Sequence, residues 1–305
     1  MLKVNPQLEE ELKEFLRSIK IDIKSMTFIP LGEESFGWRV VTDRQILFLK
    51  YCTQERILNN LQNVNKLLLS LGNLDFIAPP VLLDGKTEVP FKEGYIYAYP
   101  FVKGEVYTIR NDEFDRSLVD SLTEIMGETH KSDVSNIEIP RESFKYNLKE
   151  QYNQILKDID NGLNVLEVPK EDLEKLNNVI SDFEKASEYY ISNPPEMVLT
   201  HGDITGRNIL RTESGDIKLI DWDEVKIAPK ERDINFLYDN LNFDFKYYQS
   251  ITKSEDFNPD LRKYYNDLWA LESILVNIQR LQYFKEEYGS REYLLEDVIE
   301  CLGYY

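Results

Sequence analysis

Residues 199–224 carry the side chains best suited to chemistry. His201, Asp203, Asn208 and Asp221 stand there between short apolar runs. Amide and carboxylate oxygens are hard ligands of the kind that Mg²⁺ takes, so Asn208 and Asp221 form a candidate metal pair. Asp203, five residues before the amide, is left to face a substrate hydroxyl. This set outlines a site for phosphoryl transfer.

Two short strands must bring these side chains together. Ile209-Leu210 and residues 217–220 are strand-like runs, and Ser214-Gly215-Asp216 between them is typical of a hairpin turn. A hairpin places Asn208, just before the first strand, beside Asp221, just after the second. The sequence therefore predicts that one β-hairpin delivers both metal ligands.

The pattern His201-x-Asp203-x4-Asn208, followed by Asp221, resembles the catalytic and metal-binding segments of the kinase-like fold. More narrowly, His-Gly-Asp with Asn-Ile-Leu and Ile-Asp-Trp-Asp resembles the aminoglycoside phosphotransferase and choline kinase group. Protein kinases have His-Arg-Asp and Asp-Phe-Gly at these places, and the chain departs from both. The resemblance spans residues 25–240.

The resemblance implies an α+β, two-lobed protein-kinase-like fold, with a small antiparallel-sheet lobe and a larger, mainly helical lobe. We predict an N-terminal nucleotide-binding lobe at residues 1–102 and a C-terminal catalytic and acceptor-binding lobe at 103–305. The apolar pattern agrees with this order. Strand-like runs are residues 26–31, 36–42, 46–51, 81–83 and 95–102, and helical spacing is found at 6–20, 54–71, 115–131, 143–160, 171–190 and 261–283. The acids of 261–283 and 286–300 are candidates to line a cationic acceptor site.

The resemblance also implies how a nucleotide is bound. Lys50 ends the third strand, where this fold places a lysine that contacts the phosphates. Its partner is a glutamate on the following helix, and Glu55 is the only acid of the helix at 54–71. Phe101 and Val102 belong to the segment that joins the lobes, where adenine is expected to bind main-chain groups.

The turn at residues 32–37 is expected to cover the nucleotide phosphates and to bring Ser35 to them. It is loosely glycine-rich and contains two acids, Glu33 and Glu34. These acids must point away from the phosphates, or the loop must sit back from them. A plain hairpin without a phosphate contact is the other interpretation.

Further polar residues have expected roles around the site. His201 braces the loop, and Arg207 touches the γ-phosphate or forms a surface ion pair. Asp223 sees a second metal ion or the acceptor, or is a solvated turn acid. Asp233 caps main-chain amides of the catalytic loop, begins the next helix as its N-cap, or both. His130 is interpreted as structural, packed at a helix end.

Composition bounds the partners of the chain. The 305 residues are 42% apolar and carry a net charge of −19. Such acidity argues against nucleic acid and suits a cationic small substrate, although solubility alone explains it equally well. The sequence has no run long enough to span a bilayer and no signal-peptide segment. Cys52 and Cys301 give no disulfide framework, and we expect a cytoplasmic protein.

Together these features predict a small-molecule kinase that uses Mg²⁺ and ATP or GTP. Pro-Lys-Glu-Arg-Asp at residues 229–233 resembles spectinomycin-type members and, with the acidic composition, favours an aminoglycoside or aminocyclitol antibiotic as acceptor. The second hypothesis is a metabolic kinase of the same fold for choline, homoserine, a sugar or a macrolide. The third is a nucleotide-binding regulator without turnover, against which the complete set of site residues argues. The acceptor, the choice of ATP or GTP, and the oligomeric state stay open.

Overall fold

The computed structural model describes residues 5–30, 34–162, 170–254, 256–283 and 291–303. The turn residues Gly32 and Glu33, and the start of the acidic segment at 286–300, lie outside these ranges. The helices are α1 (Pro6–Ser18), α2 (Glu55–Ser70), α3 (Arg116–Lys131), α4 (Leu148–Asp160), α5 (Lys170–Ser192), α6 (Glu231–Ile234), α7 (Phe245–Thr252), α8 (Pro259–Gln282) and α9 (Arg291–Leu302). The strands are β1 (Ile23–Ile29), β2 (Ser35–Thr42), β3 (Ile46–Cys52), β4 (Glu88–Phe91), β5 (Gly94–Pro100), β6 (Gly104–Val106), β7 (Val198–Thr200), β8 (Ile209–Thr212), β9 (Ile217–Leu219) and β10 (Lys226–Ala228).

An antiparallel sheet with the order β1-β2-β3-β5-β4 forms the N-terminal part of the fold. Side chains alternate across a strand, so Leu47, Leu49 and Tyr51 share one face of β3. They pack in one core with Leu12 and Leu16 of α1. Burial of each such leucine stabilises the fold by about 1.5–3 kcal/mol. This sheet, with the helical remainder of the chain, confirms the predicted α+β class.

The opposite face of the sheet carries the lysine. Lys50 lies beside Tyr97 of β5 in the strand register. Tyr97 packs with Cys52 and with Ile57 and Leu61 of α2. Side chains of β3 alternate between the two faces of the sheet. The leucines are therefore buried under α1, and Lys50 lies on the face covered by α2.

Two predicted elements differ in the structure. Residues 81–83 form only isolated bridges, Val81 to Ala98 and Leu83 to Lys86, because the chain turns at once through Asp84 and Gly85, both with positive φ. The fourth strand is instead β4. The helix predicted at 143–160 begins only at Leu148, because Phe144 has a φ of 54° that a helix excludes.

Three short strands form the sheet β6-β8-β9. Ile209 pairs with Leu219, and the Ile220 amide donates to the Asn208 carbonyl oxygen at 2.9 Å. This confirms the predicted hairpin. Gly104 of β6 lies so close to β8 that a Cβ atom would stand 2.2 Å from the Arg211 carbonyl oxygen, which explains the glycine.

The chain divides into two compact units. One contains Met1–Arg141 and Met197–Asp256, and the other contains Glu142–Glu196 and Phe257–Tyr305. The second unit has an aromatic core in which Phe183 stacks on Tyr264 with ring centroids 4.4 Å apart. The lobe boundary at residue 102 stays a prediction. Within the described ranges, no helix combines the length and apolar character needed to cross a membrane.

Candidate active site

Asp233 of α6 binds the start of the polar loop at residues 201–208 through hydrogen bonds to its main chain. Its carboxylate is fully buried and accepts the main-chain amides of His201 at 2.8 Å and of Gly202 at 2.7 Å. His130 Nε2 lies 3.1 Å from the same carboxylate. Burial raises the pKa of Asp233, but the hydrogen bond and charge of His130, with Arg232, hold it below its ordinary value. Asp233 thus caps loop amides, and it stands inside α6 rather than at the N-cap, which is Lys230.

His130 has the structural role expected of it. It is buried near the end of α3, and Nδ1 lies 2.7 Å from the Tyr248 hydroxyl. Its two ring nitrogens therefore contact Tyr248 of α7 and Asp233. These contacts fix the orientation of the Asp233 carboxylate.

His201 lies at the centre of the loop and is fully buried. Its Nδ1 accepts the Asp203 amide at 3.2 Å, so Nε2 carries the proton and donates to the Ile220 carbonyl oxygen at 3.1 Å. Burial lowers the pKa of His201, which keeps the imidazole neutral. The ring meets Trp222 edge-on, with centroids 4.7 Å apart. His201 thereby ties Asp203 to the residue before Asp221.

Arg232 fills the space beside Gly202, a role that the sequence analysis missed. Gly202 has a φ of 88°, and a Cβ atom there would lie 2.1–2.2 Å from the Arg232 guanidinium. The guanidinium donates to Thr200 Oγ1 and to the Glu224 carbonyl oxygen, each at 2.9 Å. The segment Pro-Lys-Glu-Arg-Asp was the available signal, but only its aspartate was assigned a contact.

Asp203 and Asn208 contact each other directly. Asn208 Nδ2 donates to Asp203 Oδ2 at 2.7 Å and to the Asp203 carbonyl oxygen at 3.0 Å. Burial raises the pKa of Asp203, and the nearby His201 offsets part of this rise. A higher pKa makes the carboxylate a better proton acceptor.

Lys50 forms a cluster with the two acids that follow β9. Its Nζ lies 3.0 Å from Asp221 Oδ1 and 2.8 Å from Asp223 Oδ2. Burial lowers the pKa of Lys50, but the two carboxylates outweigh burial and raise the pKa well above its ordinary value. Within the described part of the chain Lys50 does not pair with Glu55, which is exposed at the first residue of α2.

The two acids of this cluster differ in exposure and in pKa. The Asp221 side chain is 48% exposed and that of Asp223 is 13% exposed. Burial raises the pKa of Asp221, but Lys50 outweighs this and lowers it. Because nearly half of the side chain meets water, solvent screening limits that effect. Burial raises the pKa of Asp223 to about 6, with Lys50 opposing the rise and Asp221 adding to it.

These residues suit a hard cation. Lys50 balances one of the two negative charges of Asp221 and Asp223, and the exposed carboxylate of Asp221 is open to a ligand. Asn208 is tied to the residue before Asp221 by its carbonyl oxygen. No group of three or more His, Cys, Asp or Glu in the described ranges is arranged to hold a metal by itself. The amide and carboxylate oxygens present here are of the type that Mg²⁺ takes.

The other predicted site residues lie as follows. Ser35 begins β2 and is buried, and its hydroxyl has no hydrogen-bond partner among the described residues. Phe101 and Val102 are half-buried, and the Phe101 amide donates to the Ile46 carbonyl oxygen at 2.9 Å. Arg207 is exposed.

A sheet whose third strand carries a lysine, and a hairpin that carries an amide and two acids, define a phosphotransferase of the kinase-like class. The family model of the APH phosphotransferase enzyme family matches residues 25–271. The chain belongs to this family, and it is a phosphotransferase enzyme.

Solved structures share the fold. Spectinomycin phosphotransferase APH(9)-Ia, in complex with ADP and spectinomycin, has 20% identity and a TM-score of 0.71, with 95% of this chain and 93% of that chain covered. Choline kinase LicA from Streptococcus pneumoniae has 16% identity and a TM-score of 0.60, with 98% and 100% covered. The GDP and kanamycin complex of APH(2")-IIIa has 14% identity and a TM-score of 0.63, with 97% and 98% covered. A comparison with proteins of curated function finds no significant match.

Proposed function

We propose that this phosphotransferase moves the γ-phosphoryl group of ATP or GTP to a hydroxyl of an aminoglycoside or aminocyclitol antibiotic, with Mg²⁺ as cofactor. The observation that carries the proposal is the connected set Asp203, Asn208, Asp221 and Lys50. Asn208 contacts Asp203 through its side chain and the strand before Asp221 through its main chain, and Asp221 contacts Lys50. Base, metal ligands and phosphate-binding cation are thus within one network.

Asp203 is proposed to bind the acceptor hydroxyl and to accept its proton. Asn208 holds one carboxylate oxygen at 2.7 Å, which fixes the direction of the group. The transition state of phosphoryl transfer is loose, so the proton leaves late and orientation contributes more than basicity. Capping of the loop amides by Asp233 keeps Asp203 in place during this step.

Lys50 and the hairpin are proposed to bind the phosphates. Lys50 supplies an ammonium, and Asn208, Asp221 and Asp223 would hold Mg²⁺. The ion would supply positive charge to offset the negative charge that develops on the transferred phosphoryl group. Family relatives with bound ADP and GDP support a nucleotide as the co-substrate.

The proposal of a cationic antibiotic as acceptor rests on charge and on likeness. The net charge of −19 attracts cations. The spectinomycin phosphotransferase structure aligns over 95% of this chain, and the segment 229–233 resembles the one expected of spectinomycin-type members. These observations favour an aminocyclitol over a neutral sugar.

The test is phosphoryl transfer from Mg²⁺-ATP and Mg²⁺-GTP to spectinomycin, several aminoglycosides, macrolides, choline and homoserine. We expect transfer to one cationic antibiotic, and its loss in Asp203→Asn with nucleotide binding retained. The matched control is Asp43→Asn, an exposed acid in the turn before β3 that pairs with Lys24. Transfer that survives in Asp203→Asn contradicts the role of Asp203. Loss of nucleotide binding as well assigns Asp203 to the fold or the metal.

A choline kinase is the second candidate, favoured by one observation. The pneumococcal choline kinase structure covers 98% of this chain and is itself covered completely. Choline is also a cation, so the charge of the chain does not separate the two hypotheses. Transfer to choline alone in the same panel decides for this candidate.

A further inference from the structure

Two carboxylates flank the region expected to receive the nucleotide phosphates. Glu34 directly precedes Ser35 at the start of β2, and Glu224 directly follows Asp223. Their side chains are 50% and 35% exposed. Each would repel a triphosphate, because like charges within about 10 Å interact appreciably near a protein surface.

Arg56, in the first turn of α2, binds both of these carboxylates. Its Nη2 lies 2.7 Å from Glu34 Oε2, and its Nη1 donates to Glu224 Oε1. A guanidinium presents several donors in a rigid plane, so one arginine can serve two carboxylates where a lysine is a single point charge. Arg56 thus joins three segments that are far apart in the sequence.

Glu224 cannot easily turn away from this contact. Its carbonyl oxygen accepts Arg232 Nη2 at 2.9 Å, and its carboxylate lies 3.9 Å from the same nitrogen. The turn that carries Asp221 and Asp223 therefore keeps its acid pointed towards Arg56. Glu34 is likewise occupied, which explains how the chain keeps an acid in a segment expected to meet phosphates.

We propose that Arg56 is a positioning residue for the nucleotide, which pairs with Glu34 and Glu224, offsets one of their two negative charges and so permits a triphosphate to bind beside them. The inference rests on the proposed nucleotide-dependent function. Arg56 cancels the charge of one carboxylate, and its two hydrogen bonds hold both acids away from the phosphates. Its loss leaves two carboxylates free to repel the nucleotide.

The experiment measures binding of Mg²⁺-ATP and Mg²⁺-ADP by calorimetry to wild type, Arg56→Met, Arg56→Lys, Glu34→Gln and the double variant Arg56→Met/Glu34→Gln. The matched control is Arg116→Met, an exposed arginine of α3 that pairs with Asp120. We expect Arg56→Met to raise the Kd of Mg²⁺-ATP about three- to tenfold in low salt. The rise should shrink in about 0.5 M salt, where charges are screened.

Removing one acid should reverse the defect. Arg56→Met/Glu34→Gln is expected to bind the nucleotide more tightly than Arg56→Met, and Arg56→Lys should lie between wild type and Arg56→Met. Glu34→Gln alone should bind at least as well as wild type. The opposite result, a loss in Glu34→Gln that equals the loss in Arg56→Met, would mean that the ion pair orders the loop and would overturn the proposal.

Failure of the inference and failure of the proposed function give different results. If wild type binds no nucleotide, the proposed function itself is wrong. If wild type binds and Arg56→Met binds equally well in low salt, only the role of Arg56 is wrong. Thermal unfolding of each variant checks the fold, and the half-exposed Arg56 side chain leads us to expect unchanged melting within about 2 °C.

Discussion

Gly202→Ala tests whether Arg232 occupies the space beside loop 201–208. The added Cβ atom would lie 2.1–2.2 Å from three atoms of the guanidinium, well inside van der Waals contact. Arg232 must therefore move. Its hydrogen bonds to Thr200 Oγ1 and to the Glu224 carbonyl oxygen are then lost.

The cost has two parts that can be separated. A non-glycine residue in the left-handed region, here at a φ of 88°, costs about 1–2 kcal/mol. Displacement of a buried guanidinium from its two acceptors costs about 2–4 kcal/mol more. In an Arg232→Ala background the hydrogen bonds of Arg232 are already absent. Gly202→Ala should then lower the free energy of unfolding only by the backbone cost. The two substitutions are therefore expected to couple by about 2–4 kcal/mol.

Urea unfolding of wild type, both single variants and the double variant measures this coupling, and kcat reports on loop geometry. The matched control is Gly215→Ala in the β8–β9 turn, where φ is 92° and a Cβ atom meets nothing within 4 Å. Gly215→Ala carries the backbone cost alone. If Gly202→Ala costs no more than Gly215→Ala, or if the two effects add to within about 0.5 kcal/mol, the assignment of Arg232 is refuted.

Further predictions concern the acids and the lysine. Asp221→Asn should abolish the effect of Mg²⁺ on ADP binding, and an unchanged Mg²⁺ titration would argue against this ligand. The Tyr97 ring lies 5.6 Å from Lys50 Nζ, so Tyr97→Leu should raise KM for ATP about two- to fivefold. Tyr97→Phe keeps the ring and should match wild type; equal effects of both would exclude the ring contact. The pKa of Asp233 is lower in the folded state than in the unfolded state, where it is about 3.9. The ionised carboxylate therefore contributes fully to the free energy of unfolding above that value, and the contribution is lost as the pH falls through the lower folded pKa. Asp233→Asn should remove that part of the acid dependence in urea unfolding, and an unaltered pH profile would contradict it.

Local patterns could be read from the sequence, and one long-range contact could be expected from family likeness. The hairpin was predictable because alternation of apolar residues and a Ser-Gly-Asp turn are properties of adjacent residues. The capping by Asp233 was predictable from family likeness. The strand expected at 81–83 failed because the turn at Asp84 and Gly85 cuts it short, and that turn signal was itself visible.

Contacts across long sequence distances account for what the sequence analysis missed. Glu55 was chosen as the partner of Lys50 because it is the only acid in its helix, yet Lys50 contacts acids more than 170 residues away. Arg56, the neighbour of Glu55 in the first turn of α2, is the residue that contacts the site, because it binds Glu224. A pattern within one helix states which residues are present, and only the tertiary fold decides which of two neighbours faces the site.

The charge balance of the Lys50 cluster explains why its acids suit a nucleotide that arrives with a metal. One ammonium faces two carboxylates, and Asp223, the less exposed acid, has its pKa raised to about 6. A divalent cation at the exposed Asp221 would supply the missing positive charge and would let both acids ionise together. The same excess of negative charge disfavours a bare triphosphate, to which Lys50 alone would offer attraction. We therefore expect the cluster to bind a nucleotide together with its metal ion more tightly than the nucleotide alone.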